Sequence, residues 1–359
     1  MLISGAANVT IDMQNSDLYF ALSNTSAISC VSCNNVKMQN FTVDYQQLPF
    51  TQATITGIDP LSRILTFQTL PGWQSPVDFN TNRAPDGSDA ISMFIFRNGI
   101  PLTQVGRLAG VRPVIGNKLS IGNVTDPWAQ QSVVSAIQPG DTLVWTDRSG
   151  PPALNFTGGQ KITVHNVSIY SAGQMALSFG GTAGVAADHV QVIPRPGTAR
   201  PISSNAGGIQ VGFALANNSL TNNTIRRACD DALAITTTLL ATVWLPPTGA
   251  TAMVARSRAS SFPVGTSITF INPEDAGVVG TANIVSETPP IARQTFTEGE
   301  IVTLTLDKTV PGLGVADIIV DADPAKRGSG SVIANNIIQE GVFGRGIRLA
   351  GVDGEEHPC

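Results

Sequence analysis

Apolar and polar residues alternate along short segments built on one phrase: a small polar turn, an Asn, then alternating apolar positions. "ANVTID" (7–12), "NNVKMQNFTVDY" (34–45) and "GQKITVHNVSIY" (159–170) carry it. So do "ADHVQVIPR" (187–195), "LTNNTIRR" (220–227) and "SVIANNIIQEG" (331–341). A period of two is that of a strand with one buried face. No run of a dozen residues holds a 3.6-residue period, which excludes a helix-rich fold. Matching apolar positions recur at repeat-like spacing: Val9 to Val36 is 27 residues, Ile162 to Val190 is 28, and Val190 to Ile225 is 35. Units of that length bury their apolar faces by stacking. The pattern predicts an all-β fold, a right-handed parallel β-helix with strands over 36–44, 161–169 and 331–338. Asn34, Asn35, Asn217, Asn218, Asn222, Asn223, Asn335 and Asn336 are expected to stack along its axis.

Two regions interrupt the phrase. Residues 46–150 show longer strands such as "TQATITGID", "RILTFQTL" and "DTLVWTD"; residues 240–325 show "TSITFINP", "GTANIVSE", "IVTLTLD" and "ADIIVDAD". Each interruption reads as a small β-barrel or sandwich lobe inserted in the β-helix. The expected organisation is first coils over 1–45, an inserted lobe over 46–150, central coils over 151–239, a second lobe over 240–325, and a last coil and tail over 326–359. Insertions leaving from one end of the strands could wall a cleft over the central coils.

Composition narrows the function classes. Of 359 residues 13% are charged, Gly numbers 35 and Pro 23, and the net charge is −5. That balance offers no basic footprint for nucleic acid. No segment reaches the roughly 18 apolar residues of a membrane span. The N-terminus enters a β-pattern without a basic flank, so a secreted or periplasmic location is expected with its targeting signal outside this chain. Cys30 and Cys33 form a C-x-x-C without a second pair or a βαβ context, and are expected as buried small apolar residues rather than as a redox or zinc motif. Eight Asn-x-Ser/Thr sequons begin at Asn8, Asn24, Asn40, Asn123, Asn155, Asn166, Asn217 and Asn222.

The stretch "RRACDDALAI" (226–235) sets two carboxylates ahead of a short strand. Leu233 and Ile235 face the core by phase, as do Ile209 and Val211 one coil earlier. Pairing Ile209 with Leu233 gives a 24-residue coil, sets Gly207 under Asp231, and sets Gln210 under Ala234 on the outer face. Asp230 then points outward. Asp231 would point inward unless the turn begins there, and an ionised carboxylate so placed needs hydrogen bonds to be tolerated. Asp230 as acid with Asp231 as base, or Asp231 as a turn-former accepting backbone N–H bonds, are both open readings.

The stretches "NFTVDYQQLPFTQATITGID", "VSIYSAGQMALSFGG", "GTARPISSNAGGIQV", "CDDALAI" and "GRGIRLAG" together resemble the exo-acting α-1,3-galactosidases of glycoside hydrolase family 110, from about residue 5 to residue 351. The resemblance implies a β-helix with two β-barrel insertions and an inverting hydrolysis by carboxylates from neighbouring coils. Asp230 and Asp231 match the family's Asp-Asp-Ala phrase. Gly207 stands where the family looks to have a further Asp, which removes one carboxylate. Arg200 and Arg345 resemble family positions near the substrate.

Arg226, Arg227 and Arg348 are further candidates for sugar hydroxyls, against the alternative of solvated surface arginines. Trp73, Trp128, Trp145 and Trp244 lie in the inserted regions or at their edges, and Trp244 is the one nearest the acid pair in sequence. His165 and His189 read as solvated outer-face residues. No zinc, serine-hydrolase or phosphate-loop motif occurs, so no cofactor and no metal is implied. The reading is an inverting exo-glycosidase acting on terminal α-linked galactose-type sugars. Catalytic residues would be Asp230 and Asp231, with Arg200, Gln210, Arg345 and Trp244 binding substrate. The alternative is a non-catalytic glycan-binding β-helix, and the third reading a polysaccharide lyase. The expected partner is an oligosaccharide or polysaccharide, with neither nucleic acid nor membrane and no predicted oligomer.

Overall fold

Successive passes of the chain lie over one another as parallel strands. The computed structural model describes residues 1–79, 91–105, 107–108, 111–114, 116–121, 134–148, 150–237, 240–246, 251–257, 263–291 and 300–352. Trp128, the sequon at Asn123 and His357 lie outside the described residues. Strand Ile28–Tyr45 pairs in parallel with Ala7–Phe20 on one side and Leu154–Ile169 on the other. Beyond Leu154–Ile169 the long strand splits into two parallel rows. Leu177–Gly180, Ile209–Gly212, Leu233–Thr236 and Ile347–Ala350 form one. Ala186–Val192 leads the other, followed by the short strands Ser219–Thr221 and Thr224–Arg226, then Val332–Ala334 and Ile337–Gln339.

Alternation and stacking together make the core. Ile28, Leu154, Leu177, Ile209 and Leu233 occupy one inward row, and Val43, Ile169, Val192 and Ile225 another, all buried. Val9 faces Val36, a step of 27 residues as the spacing predicts. The later steps differ from the spacing read off the sequence. Val190 faces Val167 rather than Ile162, and Ile225 faces Val192. Valine and isoleucine recur so often here that a period shifted by a few residues still matches apolar to apolar.

The corners explain the asparagines. Asn40, Asn166, His189, Asn222 and Asn335 fall on one register line, all with positive φ between 49° and 59°. Asn8, Asn35, Lys161, Gly184, Asn217 and Gly330 form a second such line. Asn adopts this left-handed conformation at less cost than most residues. Axial side-chain bonds exist but are fewer than expected: Asn35 donates to Asn8, Asn166 to Asn40 and Asn223 to Asn336. Asn34 bonds within its own coil, to the carbonyl of Ser32.

Cys30 and Cys33 are buried as expected, but they are joined by a disulfide, which corrects the sequence reading. Ser32 between them has φ 53°. That left-handed residue curls an otherwise extended strand and brings the two Cα atoms to 6.0 Å, within disulfide reach.

The remaining strands form two antiparallel units. Those from Phe50 to Asp147 make a seven-stranded sheet, and those from Leu240 to Asp321 close into a six-stranded barrel. The first unit is seated on the parallel stack. Its Phe50, Phe94, Phe96 and Val144 pack with Ile202, Cys229 and Val342 of the coils around the acid pair. Asn205 donates to the carbonyls of Pro49 and Asp147, pinning both ends of the unit to one coil. Among the described residues no helix is long and apolar enough to cross a membrane.

Candidate functional site

Asp230 and Asp231 occupy a turn held from both sides by glycines. Gly208 N–H donates to the Asp231 carbonyl from the coil below, and Ala232 N–H donates to the Arg345 carbonyl of the coil above. A Cβ on Gly207 would lie 2.8 Å from the Asp231 carbonyl oxygen. A Cβ on Gly344, whose φ is +87°, would lie 2.5 Å from the Asp230 carbonyl carbon. The acid-pair peptide is therefore sandwiched where neither neighbour has room for a side chain. A side chain at position 207 would collide with the acid-pair backbone. Gly207 is required by close backbone approach, not by a positive φ.

Local geometry separates the two acids. Asp231 is buried at 7% exposure, and its Oδ1 accepts the main-chain N–H of Arg345 at 2.9 Å. Arg345 Nη1 approaches Oδ1 and Arg348 Nη1 approaches Oδ2, both at 3.4 Å. Asp231 thus takes the turn-forming part, with its backbone donor supplied by the next coil. Its side chain reaches the guanidinium of Arg348, whose strand position continues the outer row through Gln210 and Ala234. The inward direction given by strand phase does not apply, because the strand begins only at Leu233.

Asp230 keeps 35% of its side chain exposed and accepts from Arg148 Nη2 at 2.5 Å. Its Oδ1 accepts the Asp231 N–H. Arg148 follows the last strand of the seven-stranded unit and also approaches the Cys229 carbonyl. Sequence reasoning missed Arg148: it lies 82 residues from Asp230 in a segment assigned to another lobe. Burial pushes the neighbouring Cys229 thiol upward, so it is an inert packing residue here.

The other candidates divide. Gln210 pairs in register with Ser178 and Ala234 and is half-buried on the row that ends at Arg348. Arg345 and Arg348 join the acid pair as above. Arg200 does not. Its Nη1 donates to both oxygens of Asp44 at 2.7 and 2.9 Å, and only 14% of its side chain is exposed. Asp44 also binds Arg195 and Ser171. Burial opposes ionisation of Asp44, but hydrogen bonds from Arg200 and Arg195 outweigh it and hold its carboxyl below the usual carboxylate value. Arg200 is committed to that buried anion, which corrects its assignment to substrate.

Arg226 and Arg227 are likewise engaged, both on Glu340. Trp244 sits at a bulge of the closed barrel, 41% exposed, between the paired positions Val243 and Leu245. Trp145 is core of the seven-stranded unit, and Trp73 packs on Phe50.

The arrangement is a mixed cluster of two carboxylates and three guanidinium groups contributed by three chain segments, partly open to solvent. Carboxylate and guanidinium side by side offer acceptors and donors together, the pairing that fits vicinal hydroxyl groups. No family model matches the chain, and no curated protein matches it. Comparison with solved structures finds the crystal structure of the tailspike protein gp49 from Pseudomonas phage LKA1, at 10% identity over 89% of each chain with a TM-score of 0.18.

Proposed function

We propose that this chain is a glycan-binding protein with a right-handed parallel β-helix body, which recognises a terminal sugar at the Asp230–Asp231 turn. One observation carries the reading: both carboxylates are already engaged by Arg148, Arg345 and Arg348, while the position that would supply a further carboxylate, Gly207, has no room for one. An inverting hydrolase needs one protonated carboxyl and one base about 6.5–9.5 Å away with a water between them. Two adjacent residues locked in ion pairs suit hydrogen bonding to hydroxyls better than proton transfer. The resemblance to family 110 galactosidases supports a galactose-type terminal sugar as the ligand class, in an oligosaccharide or polysaccharide. The Cys30–Cys33 disulfide supports a secreted or periplasmic location, where disulfides persist.

An inverting exo-glycosidase is the second reading. The contrast between a solvent-reached Asp230 and a buried Asp231 favours it, because acid–base pairs work through unlike environments. A panel of terminal-galactose oligosaccharides and aryl α- and β-glycosides, assayed for binding and for released sugar, separates the two. Saturable binding without release, abolished in Asp230→Asn, is expected. Turnover that Asp230→Asn abolishes would replace the binding reading with the hydrolase.

A further inference from the structure

Away from the acid pair, the outer face of the stack brings two imidazoles and a carboxylate together across neighbouring coils. His165 faces Asp188 in register, and His189 follows Asp188 in the chain. Nδ1 of His165 lies 2.9 Å, and Nδ1 of His189 3.0 Å, from the same oxygen, Asp188 Oδ2. The other oxygen, Oδ1, is held by Asn222 Nδ2 at 2.8 Å and Thr221 Oγ1 at 3.1 Å from the next coil. The carboxylate is thereby fixed with one oxygen presented to both rings. The two rings meet edge to face, 5.6 Å between centroids. One candidate ligand atom from each residue lies within 4.8 Å of the other two. Side-chain exposures of 36%, 29% and 59% leave the group open to solvent.

We propose that His165, Asp188 and His189 form a binding site for a divalent transition metal of the zinc type. Imidazole nitrogen and carboxylate oxygen are the donors such ions take. Donor atoms 2.9 and 3.0 Å apart, each at about 2.0–2.1 Å from a common ion, subtend about 90° at it. Such a three-ligand face leaves coordination positions on the solvent side for water or for an oxygen ligand. Binding a metal through both Nδ1 atoms requires each ring to carry its hydrogen on Nε2.

The fold makes the site stiff. His189 has φ 55° on a corner line where every other rung from Asn40 to Asn335 is an Asn. It is the imidazole on that line, and it sits one rung above Asn166, next to His165. The ion would clip the coil of His165 to the coil of Asp188. This site is separate from the acid-pair turn, so the proposal stands or falls independently of glycan binding.

The corner line supplies the variant for the test. His189→Asn restores the residue found at the neighbouring rungs, in a conformation Asn tolerates, so the fold is kept. His165→Gln copies Gln39, which faces it one coil below. Titration of the whole chain with zinc chloride alone, at about pH 7.5 where imidazole is neutral, is read by calorimetry alongside thermal unfolding of each variant. One zinc per chain is expected for the wild type. Each variant should weaken binding by at least about tenfold while unfolding near the wild-type temperature. His357→Ala, in the tail, should bind as the wild type does. Absence of saturable zinc binding by the wild type, or undiminished binding by either His189→Asn or His165→Gln, would overturn the assignment.

Discussion

The Asp231 carboxylate accepts the main-chain N–H of Arg345, 114 residues further along the chain, at 2.9 Å. A backbone donor from the following coil thus depends on a side chain of this one. Asp231→Asn keeps the size of the group but loses charge assistance, at a cost of about 1.5–3 kcal/mol. Asp230→Asn, at a half-open ion pair with Arg148, should cost less than about 1 kcal/mol. Denaturant midpoints of the two variants check the ordering, and equal losses would show that burial of Asp231 does not control its role.

Close backbone approach makes the glycines around the acid pair unequal to those elsewhere. Gly181 has φ +62° with nothing within 4 Å of its notional Cβ, so Gly181→Ala should cost only the conformational term of about 1–2 kcal/mol. Gly344→Ala adds a contact of 2.5 Å to a similar φ and should lower the melting temperature further. Gly207→Ala meets the Asp231 carbonyl oxygen at 2.8 Å without a φ penalty. Gly207→Asp should therefore destabilise the turn and add no hydrolysis. A gain of hydrolysis in that variant would contradict the steric account.

Asp44 should be one contributor to acid sensitivity. Its folded-state value lies below the ordinary 3.8 because Arg200 and Arg195 overcome the penalty of burial. A lowered folded value contributes stability that is fully present above the ordinary value and is lost as pH falls below it. Asp44→Asn should be destabilised at neutral pH, and the gap to wild type should close below about pH 3.8. Melting temperatures of both proteins across that range test it; a gap that stays constant to the lowest pH would place the acid-labile contribution elsewhere.

Much of the architecture was legible because strand alternation is a local property. The step from Val9 to Val36 and the pairing of Ile209 with Leu233 follow from phase and turn residues alone. The later steps were misread because any Val or Ile can stand in for another one or two rungs away. The Cys30–Cys33 bond was hidden by the left-handed Ser32, since serine gives no sign that its φ is positive. At the candidate site, Asp230 and Asp231 announced themselves as adjacent charges before an apolar strand. Arg148 did not, because the contact is made by docking of one unit onto another through Phe50, Phe94 and Phe96. Arg200 misled for a different reason: its partner Asp44, 156 residues away in the chain, is buried within the parallel stack itself.

The central claim is that the Asp230–Asp231 turn binds a terminal sugar and does not cleave it. Saturation-transfer NMR on the chain with an α-galactosyl-terminated oligosaccharide measures both in one sample. The account predicts transfer to the terminal sugar, loss of that transfer in Asp230→Asn at a melting temperature close to that of the wild type, and no new anomeric resonance with time. A growing anomeric signal of free sugar, or transfer that survives Asp230→Asn undiminished, would contradict it.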